Sequence, residues 1–147
     1  MIKKIIFAFG SNLGDKKAYI LKAASRLEEM LDLSNLKQSS IIENKAMLLE
    51  GSPKSWDIDF LNMVISADID IKEFPPLKIL QITQETEKYL GRKQRSRWAP
   101  REIDVDILTI EELQIKIDDR LIIPHYDLKN RNFLLELIKE IEPNWKL

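Results

Sequence analysis

Asp104 and Asp106 stand two residues apart in RWAPREIDVDIL, residues 97–108, between a run of basic side chains and an apolar segment. In an extended strand alternate side chains share a face, so both carboxylates point one way while Ile103, Val105 and Ile107 point the other. Two carboxylates this close repel unless a cation lies between them. Hard oxygen ligands of this kind suit Mg²⁺, with phosphate oxygens completing its shell. Taken alone, the pair also fits the solvated face of an ordinary strand, the commoner arrangement for charged residues.

Arg92, Lys93, Arg95, Arg97 and Arg101 precede the pair, with no acidic residue between positions 91 and 101. Such a loop seeks anions, because arginine grips phosphate bidentately and lysine acts as a mobile point charge. Alone it also fits a solvated loop or an RNA-binding patch. Basic loop and carboxylate pair together suit a metal–polyphosphate complex, which needs both signs of charge. In DIDFLNMVI, residues 57–65, Asn62 shares a face with Phe60 and Val64. An amide there needs partners, either neighbouring backbone or a heterocyclic ligand with donors and acceptors. His125 is the single histidine, more often a surface or capping residue than a catalyst. Arg131 and Phe133 share its loop.

The elements that must position these residues follow from periodicity. The apolar run 5–9 reads as a buried strand ending in the turn formers GSNLGD, and Asp15 reads as the N-cap of a helix. That helix faces the core with Tyr19, Ala23, Leu27 and Met30, flanked by Ile20, Ala24 and Leu31. Strands are expected over 37–46 and 58–65, joined by the loop MLLEGSPKSW. A second helix opens at Pro75-Pro76, carries Leu77, Leu80, Gln84 and Glu87 in register, and stops at Gly91. A strand over 103–110, a hairpin turning at Asp118-Asp119 and a last helix over 133–141, halted by Pro143, complete the chain. The order is that of an α+β fold, a ferredoxin-like βαββαβ core with an added β-hairpin and a C-terminal helix.

Composition bounds the rest. The 147 residues suit one domain, and 23 basic against 24 acidic residues leave no global field toward nucleic acid or membrane. No cysteine is present, which excludes thiol chemistry and fits the cytoplasm, and the apolar run near the N-terminus is too short to span a membrane. An RNA-binding ferredoxin-like module would want a net basic balance, whereas this chain pairs its bases with acids. A two-metal nucleotidyltransferase on a related fold is a further alternative.

Taken together and in this order, FAFGSNLGD, DFLN, GRKQRSRWAPREIDVDIL and PHYDLKNRNF resemble the 6-hydroxymethyl-7,8-dihydropterin pyrophosphokinases of folate biosynthesis. The resemblance covers nearly the whole chain. It implies transfer of the β,γ-pyrophosphoryl unit of ATP to a pterin hydroxymethyl group, with release of AMP. It implies that Asp104 and Asp106 hold two Mg²⁺ ions and that Arg92 and Arg101 serve the transfer beside them. Gln84, Glu87, Trp98, Arg101, Ile107, Arg120, His125, Tyr126 and Arg131 match ATP-binding positions. Phe60 and Phe133 match the aromatic pair that sandwiches the pterin, Asn62 the amide at its edge, and Asn44, Met47, Trp98 and Asp104 further substrate contacts. The segment 42–56 lacks the usual Thr-Pro-rich turn, and Gln94 stands where many members carry a second arginine, a charge that Lys93 or Arg95 would supply. The implied partners are ATP and the reduced pterin alcohol, without nucleic acid or membrane, bound by a monomer that is fused to or works beside dihydropteroate synthase. The two loops 47–56 and 91–100 are expected to act as lids, the second held open by repulsion among Arg92, Lys93, Arg95 and Arg97 until nucleotide enters.

Overall fold

The strand β1, Ile2–Ser11, runs through the centre of the sheet in a computed structural model that describes residues 1–45, 50–95 and 99–147. The expected strand over 5–9 is its buried part, where Ile5, Ile6 and Phe7 have no solvent exposure. Helix α1, Lys16–Met30, opens at Asp15, whose Oδ1 accepts the Ala18 N–H at 3.3 Å and satisfies a donor that the first turn leaves free. Ile20, Ala23, Ala24, Leu27 and Leu31 are buried, whereas Met30 lies on the edge of that stripe and is exposed.

The single strand expected over 37–46 is two strands. β2, Ser34–Gln38, and β3, Ile42–Asn44, both run antiparallel to β4, Phe60–Asp70. Between them Ser39 donates its N–H to the Val64 carbonyl at 3.0 Å and accepts the Val64 N–H on its hydroxyl at 2.9 Å. A side chain thus stands in for a ladder partner and the strand breaks there, which apolar periodicity does not reveal. β4 itself starts later than the expected 58 and continues past 65 to Asp70.

Helix α2, Pro76–Tyr89, begins after Pro75 as the proline pair predicts. It ends in a left-handed turn at Gly91, φ +97°, where Gly91 donates to the Lys88 carbonyl and Arg92 to the Glu87 carbonyl, both at 3.0 Å. This is the Schellman arrangement, and it fixes where Arg92 leaves the helix. The buried face is Ile79, Ile82, Thr83 and Thr86. The expected line through Leu77, Leu80, Gln84 and Glu87 lies about a quarter turn away, with Leu77 and Gln84 exposed. Reading the face from leucines missed that the β-branched residues of this helix meet the core.

β5, Asp104–Ile110, pairs with β1 and completes the antiparallel order β2-β4-β1-β5, with β3 also on β4. Each of α1 and α2 therefore joins two strands separated by a third, which is the ferredoxin-like plan expected from element order. The added hairpin is β6, Ile115–Ile117, and β7, Leu121–Ile123, turning through Asp118 at φ +50°. α1 and α2 cover one sheet face over Phe7, Phe9, Met63, Ile65, Val105 and Ile107. α3, Asn132–Ile141, covers part of the other, packing Leu134, Leu137, Ile138 and Ile141 on Ile6, Ala8, Val64 and Leu108. Its far end is tied down by Glu142, which meets Lys4 Nζ at 2.9 Å and Ser66 Oγ at 3.0 Å.

Candidate active site

Beyond the reach of α3 the same sheet face is open. Gly10 of β1 lies across from Asn62 of β4 and Asp104 of β5, and Ala8 from Val64 and Asp106. The two carboxylates therefore share the face with Asn62, as alternation requires. A cavity of about 130 Å³ opens over Ala8 and Gly10, with Phe60 and Phe133 in its walls. Asn44, Asn62, Arg101, Asp104, Asp106 and Arg131 also line it. A Cβ built on Gly10 would meet Asn62 Oδ1 and the Phe60 ring at 3.4 Å, so the glycine keeps the floor clear between them. Asn62 is buried, and its amide donates to Asn44 Oδ1.

Asp106 lines a second cleft too. This space of about 670 Å³ has Leu80, Ile107, Leu121 and Ile122 as apolar lining and Asp119, Arg120, His125 and Tyr126 as polar lining. Gln84, Glu87, Arg92 and Lys93 border a third cleft, of about 420 Å³, at the end of α2. The expected ATP-binding residues thus fall into separate groups. Ile107, Arg120, His125 and Tyr126 stand together, Gln84 and Glu87 lie with the basic loop, and Arg101 and Arg131 lie in the aromatic cavity.

Charge is arranged unevenly over the carboxylates. Arg92 Nη1 is 2.9 Å from Glu87 Oε2 and 3.2 Å from Asp104 Oδ1, and Arg101 Nη1 is 3.6 Å from Asp104 Oδ2. Among the described residues Asp106 has no ion pair or hydrogen bond. Burial raises its carboxyl well above the usual range, and the Asp104 charge adds to the effect. Burial, reinforced by Asp104, likewise pushes Glu87 up to about 7, although it accepts the Val105 N–H at 2.8 Å. His125 is lowered by burial and then by Arg131, and its Nδ1 accepts the Asp127 N–H at 3.3 Å. A neutral imidazole bonded in this way carries its proton on Nε2, a donor. Arg131 Nε in turn is 2.9 Å from Asp127 Oδ2.

The expected mutual repulsion of the loop cations is offset at Arg92 and Arg95 by these pairs, and Arg97 lies outside the described residues. Arg92 is held by Glu87 and Asp104, and Arg95 donates twice to Glu102 at 2.6 and 2.8 Å. The acids come from α2 and from residues 102 and 104, beyond the window in which the loop looked purely basic. Trp98 and Met47 lie outside the described residues. Sequence reasoning missed Gly10, Lys45 and Asp119 as lining residues and Asn12 as a support. Buried Asn12 accepts the Arg101 N–H at 2.8 Å and donates to the Ile58 carbonyl at 3.3 Å, joining three loops beside the cavity. The turn formers around Gly10 and Asn12 were the available signal, read only as a strand end.

Among the described residues no group of three or more His, Cys, Asp or Glu side chains could hold a metal ion. Asp104 and Asp106 alone offer hard oxygens to a cation, so the rest of a coordination shell would come from a ligand or water, which suits a phosphate-bound ion.

The family model described as 7,8-dihydro-6-hydroxymethylpterin-pyrophosphokinase (HPPK) matches residues 6–143. A 2-amino-4-hydroxy-6-hydroxymethyldihydropteridine pyrophosphokinase of Aquifex aeolicus is 38% identical over 140 residues, covering 95% of this chain and 81% of that protein. A folate synthesis bifunctional protein of Chlamydia muridarum is 36% identical over 140 residues, and this chain spans 30% of its length. In the solved structures, the Plasmodium falciparum HPPK-DHPS with pteroate superposes with a TM-score of 0.69 at 14% identity, over 99% of this chain and 40% of that one. That last likeness is one of fold.

Proposed function

The chain belongs to the 7,8-dihydro-6-hydroxymethylpterin-pyrophosphokinase family, and from that premise we propose that it transfers pyrophosphate from ATP to the hydroxymethyl group of 6-hydroxymethyl-7,8-dihydropterin, releasing AMP, in folate biosynthesis. The observation that carries this reading at the level of the site is that Asp106 borders both the aromatic cavity and the large cleft. A reaction between two bound molecules needs one point where both sites meet.

The pterin hydroxyl oxygen bonds to the β-phosphorus while the bond from that phosphorus to the α,β-bridging oxygen breaks. AMP keeps the bridging oxygen, and the hydroxyl proton is lost to solvent. Phe60 and Phe133 hold the flat heterocycle and Asn62 takes its polar edge, with Asn44, Met47 and Trp98 as further contacts. Leu80, Ile107 and Ile122 offer an apolar bed to the adenine, and Arg120, His125 and Tyr126 surround it. Arg92, Arg101 and Arg131 neutralise phosphate charge, with Gln84 and Glu87 beside them. Asp104 and Asp106 would hold two Mg²⁺ ions, which would supply charge neutralisation and alignment of the triphosphate. Rate enhancement on this account is chiefly positioning and charge.

A single domain over residues 1–147 carries the activity as a monomer in the cytoplasm, alone or joined to dihydropteroate synthase. Among the described residues no helix is long and apolar enough to cross a membrane. The test is AMP formation from ATP, followed with and without the reduced pterin alcohol and Mg²⁺. AMP appearing only when all are present supports the reading, and ADP as the adenine product rejects it.

A further inference from the structure

Glu102 is a carboxylate that the reaction does not use, yet it is 8% exposed and carries the molecule's shortest bidentate ion pair among the described residues. Arg95 Nη1 lies 2.6 Å from Glu102 Oε1 and Arg95 Nη2 2.8 Å from Glu102 Oε2. That fork-on-fork geometry is directional as well as strong.

The position of the pair gives it work to do. The basic loop has one fixed end at Arg92, set by the left-handed Gly91 and by Glu87 and Asp104. At the other end Arg101 is set by its N–H bond to Asn12 Oδ1. Arg95 stands between the two ends, and Glu102 follows Arg101 directly, so the pair straps the loop's middle to its far end. Arg95 borders the cleft of Arg92 and Lys93 and also a mainly apolar one with Leu13, Trp56, Ile58, Ala99 and Pro100, where the loop after β3 and the turn after β1 come together. Among the described residues of the loop, Lys93 is then the one cation without an acidic partner.

We propose that Glu102 is a positioning residue that binds Arg95 in place, so that the loop presents Arg92, Arg101 and Lys93 to the polyphosphate while Arg95 is a strut and no phosphate ligand. The proposal rests on the pyrophosphokinase reading only for what the loop is presented to. It answers which side chain replaces the second arginine missing at Gln94, and the answer is Lys93.

The experiment compares Glu102→Gln, Glu102→Asp, Arg95→Gln and the Arg95→Gln/Glu102→Gln double variant with the full wild-type chain. Glu102→Gln and Arg95→Gln should each lower kcat about tenfold through misplaced groups, with the pterin KM unchanged. The double variant should lose no more than either single one, because both substitutions cut the same strap. Glu102→Asp, which keeps the charge, should recover most of the loss. Hydrogen exchange on the protein alone should show the Arg101 amide exchanging about tenfold faster in both single variants. Unchanged exchange together with unchanged kcat and only a lowered Tm would overturn the proposal. So would a MgATP KM raised far more by Arg95→Gln than by Glu102→Gln, because Arg95 would then touch phosphate itself. If wild-type protein makes no AMP, the pyrophosphokinase reading fails, and the exchange measurement still decides whether the strap exists.

Discussion

Two halves of one sheet face are built from the same three strands and do opposite things. Under α3, β1, β4 and β5 present Ile6, Val64 and Leu108, all fully buried. One or two alternations further along the same strands stand Gly10, Asn62, Asp106 and Asp104, around an open cavity. The β1–β4 register runs unbroken across the boundary, while the β1–β5 register shifts there, between Ile6 and Phe7. What changes is side-chain size and charge, and the helix that would cover the second half begins only at Asn132. A site thus arises where a core face outlasts its cover, and the raised carboxyl of Asp106 carries a cost in stability that the covered half does not.

Exchanging one residue from each half should give opposite phenotypes. Asp106→Asn should lower pyrophosphoryl transfer by at least about 100-fold, the scale of losing a preorganised charge at the reacting centre. Its Tm without ligand should rise, since it removes a carboxyl that burial and Asp104 hold at a raised pKa in the folded state. A fall in Tm with activity retained would mean that Asp106 belongs to the fold. Leu108→Ala, two residues on, should cost about 2–5 kcal/mol of stability by leaving a cavity under α3. Activity below the melting range should persist, and a urea titration gives the number.

A smaller effect sharpens the boundary itself. Gly10→Ala puts a methyl group on the cavity floor at ordinary contact distance from Asn62 and Phe60. Stability should hardly change while the pterin KM rises about tenfold, the scale of a misplaced methylene. An unchanged KM would place the pterin elsewhere.

A pH dependence tests the charged side of the boundary. Burial raises the folded-state pKa of Glu87 to about 7 from an unfolded value of about 4.3, so the folded state binds the extra proton. The neutral form costs nothing below the unfolded value, and ligand-free stability is lost as pH rises from there through about 7. Glu87→Gln should flatten that part of the profile and be the more stable protein at pH 8. Parallel profiles for the two proteins would show that Glu87 is ionised and paired with Arg92 at neutral pH.

Sequence carried much of this contrast. Alternation in DVDIL placed both aspartates opposite the core, and the same rule set Phe60 and Asn62 against Met63 and Ile65. The Asp15 cap, the Gly91 stop and the hairpin at Asp118 are local chemistry, read from one or two residues each. Reasoning failed where a partner comes from far along the chain. Ser39 breaks a strand by bonding Val64 and Asn12 joins residues 58 and 101, while Asp104 and Glu102, just outside a loop that looks purely cationic, pair with its arginines. The face of α2 was misread because leucines outside a helix stripe drew more weight than isoleucines and threonines within it. The aromatic and acidic site residues were legible as a motif set, whereas Gly10 and Lys45 matter through the space they border, which no spacing rule expresses.

The central claim is that two molecules meet at Asp106 and exchange a pyrophosphoryl unit. The most direct measurement supplies ATP labelled at the β-phosphorus, with Mg²⁺ and 6-hydroxymethyl-7,8-dihydropterin, and asks where the label ends. Label should end in the pterin product, with unlabelled AMP formed in equal amount. Label retained in ADP beside an unlabelled pterin would mean attack at the γ-phosphorus, and would contradict it.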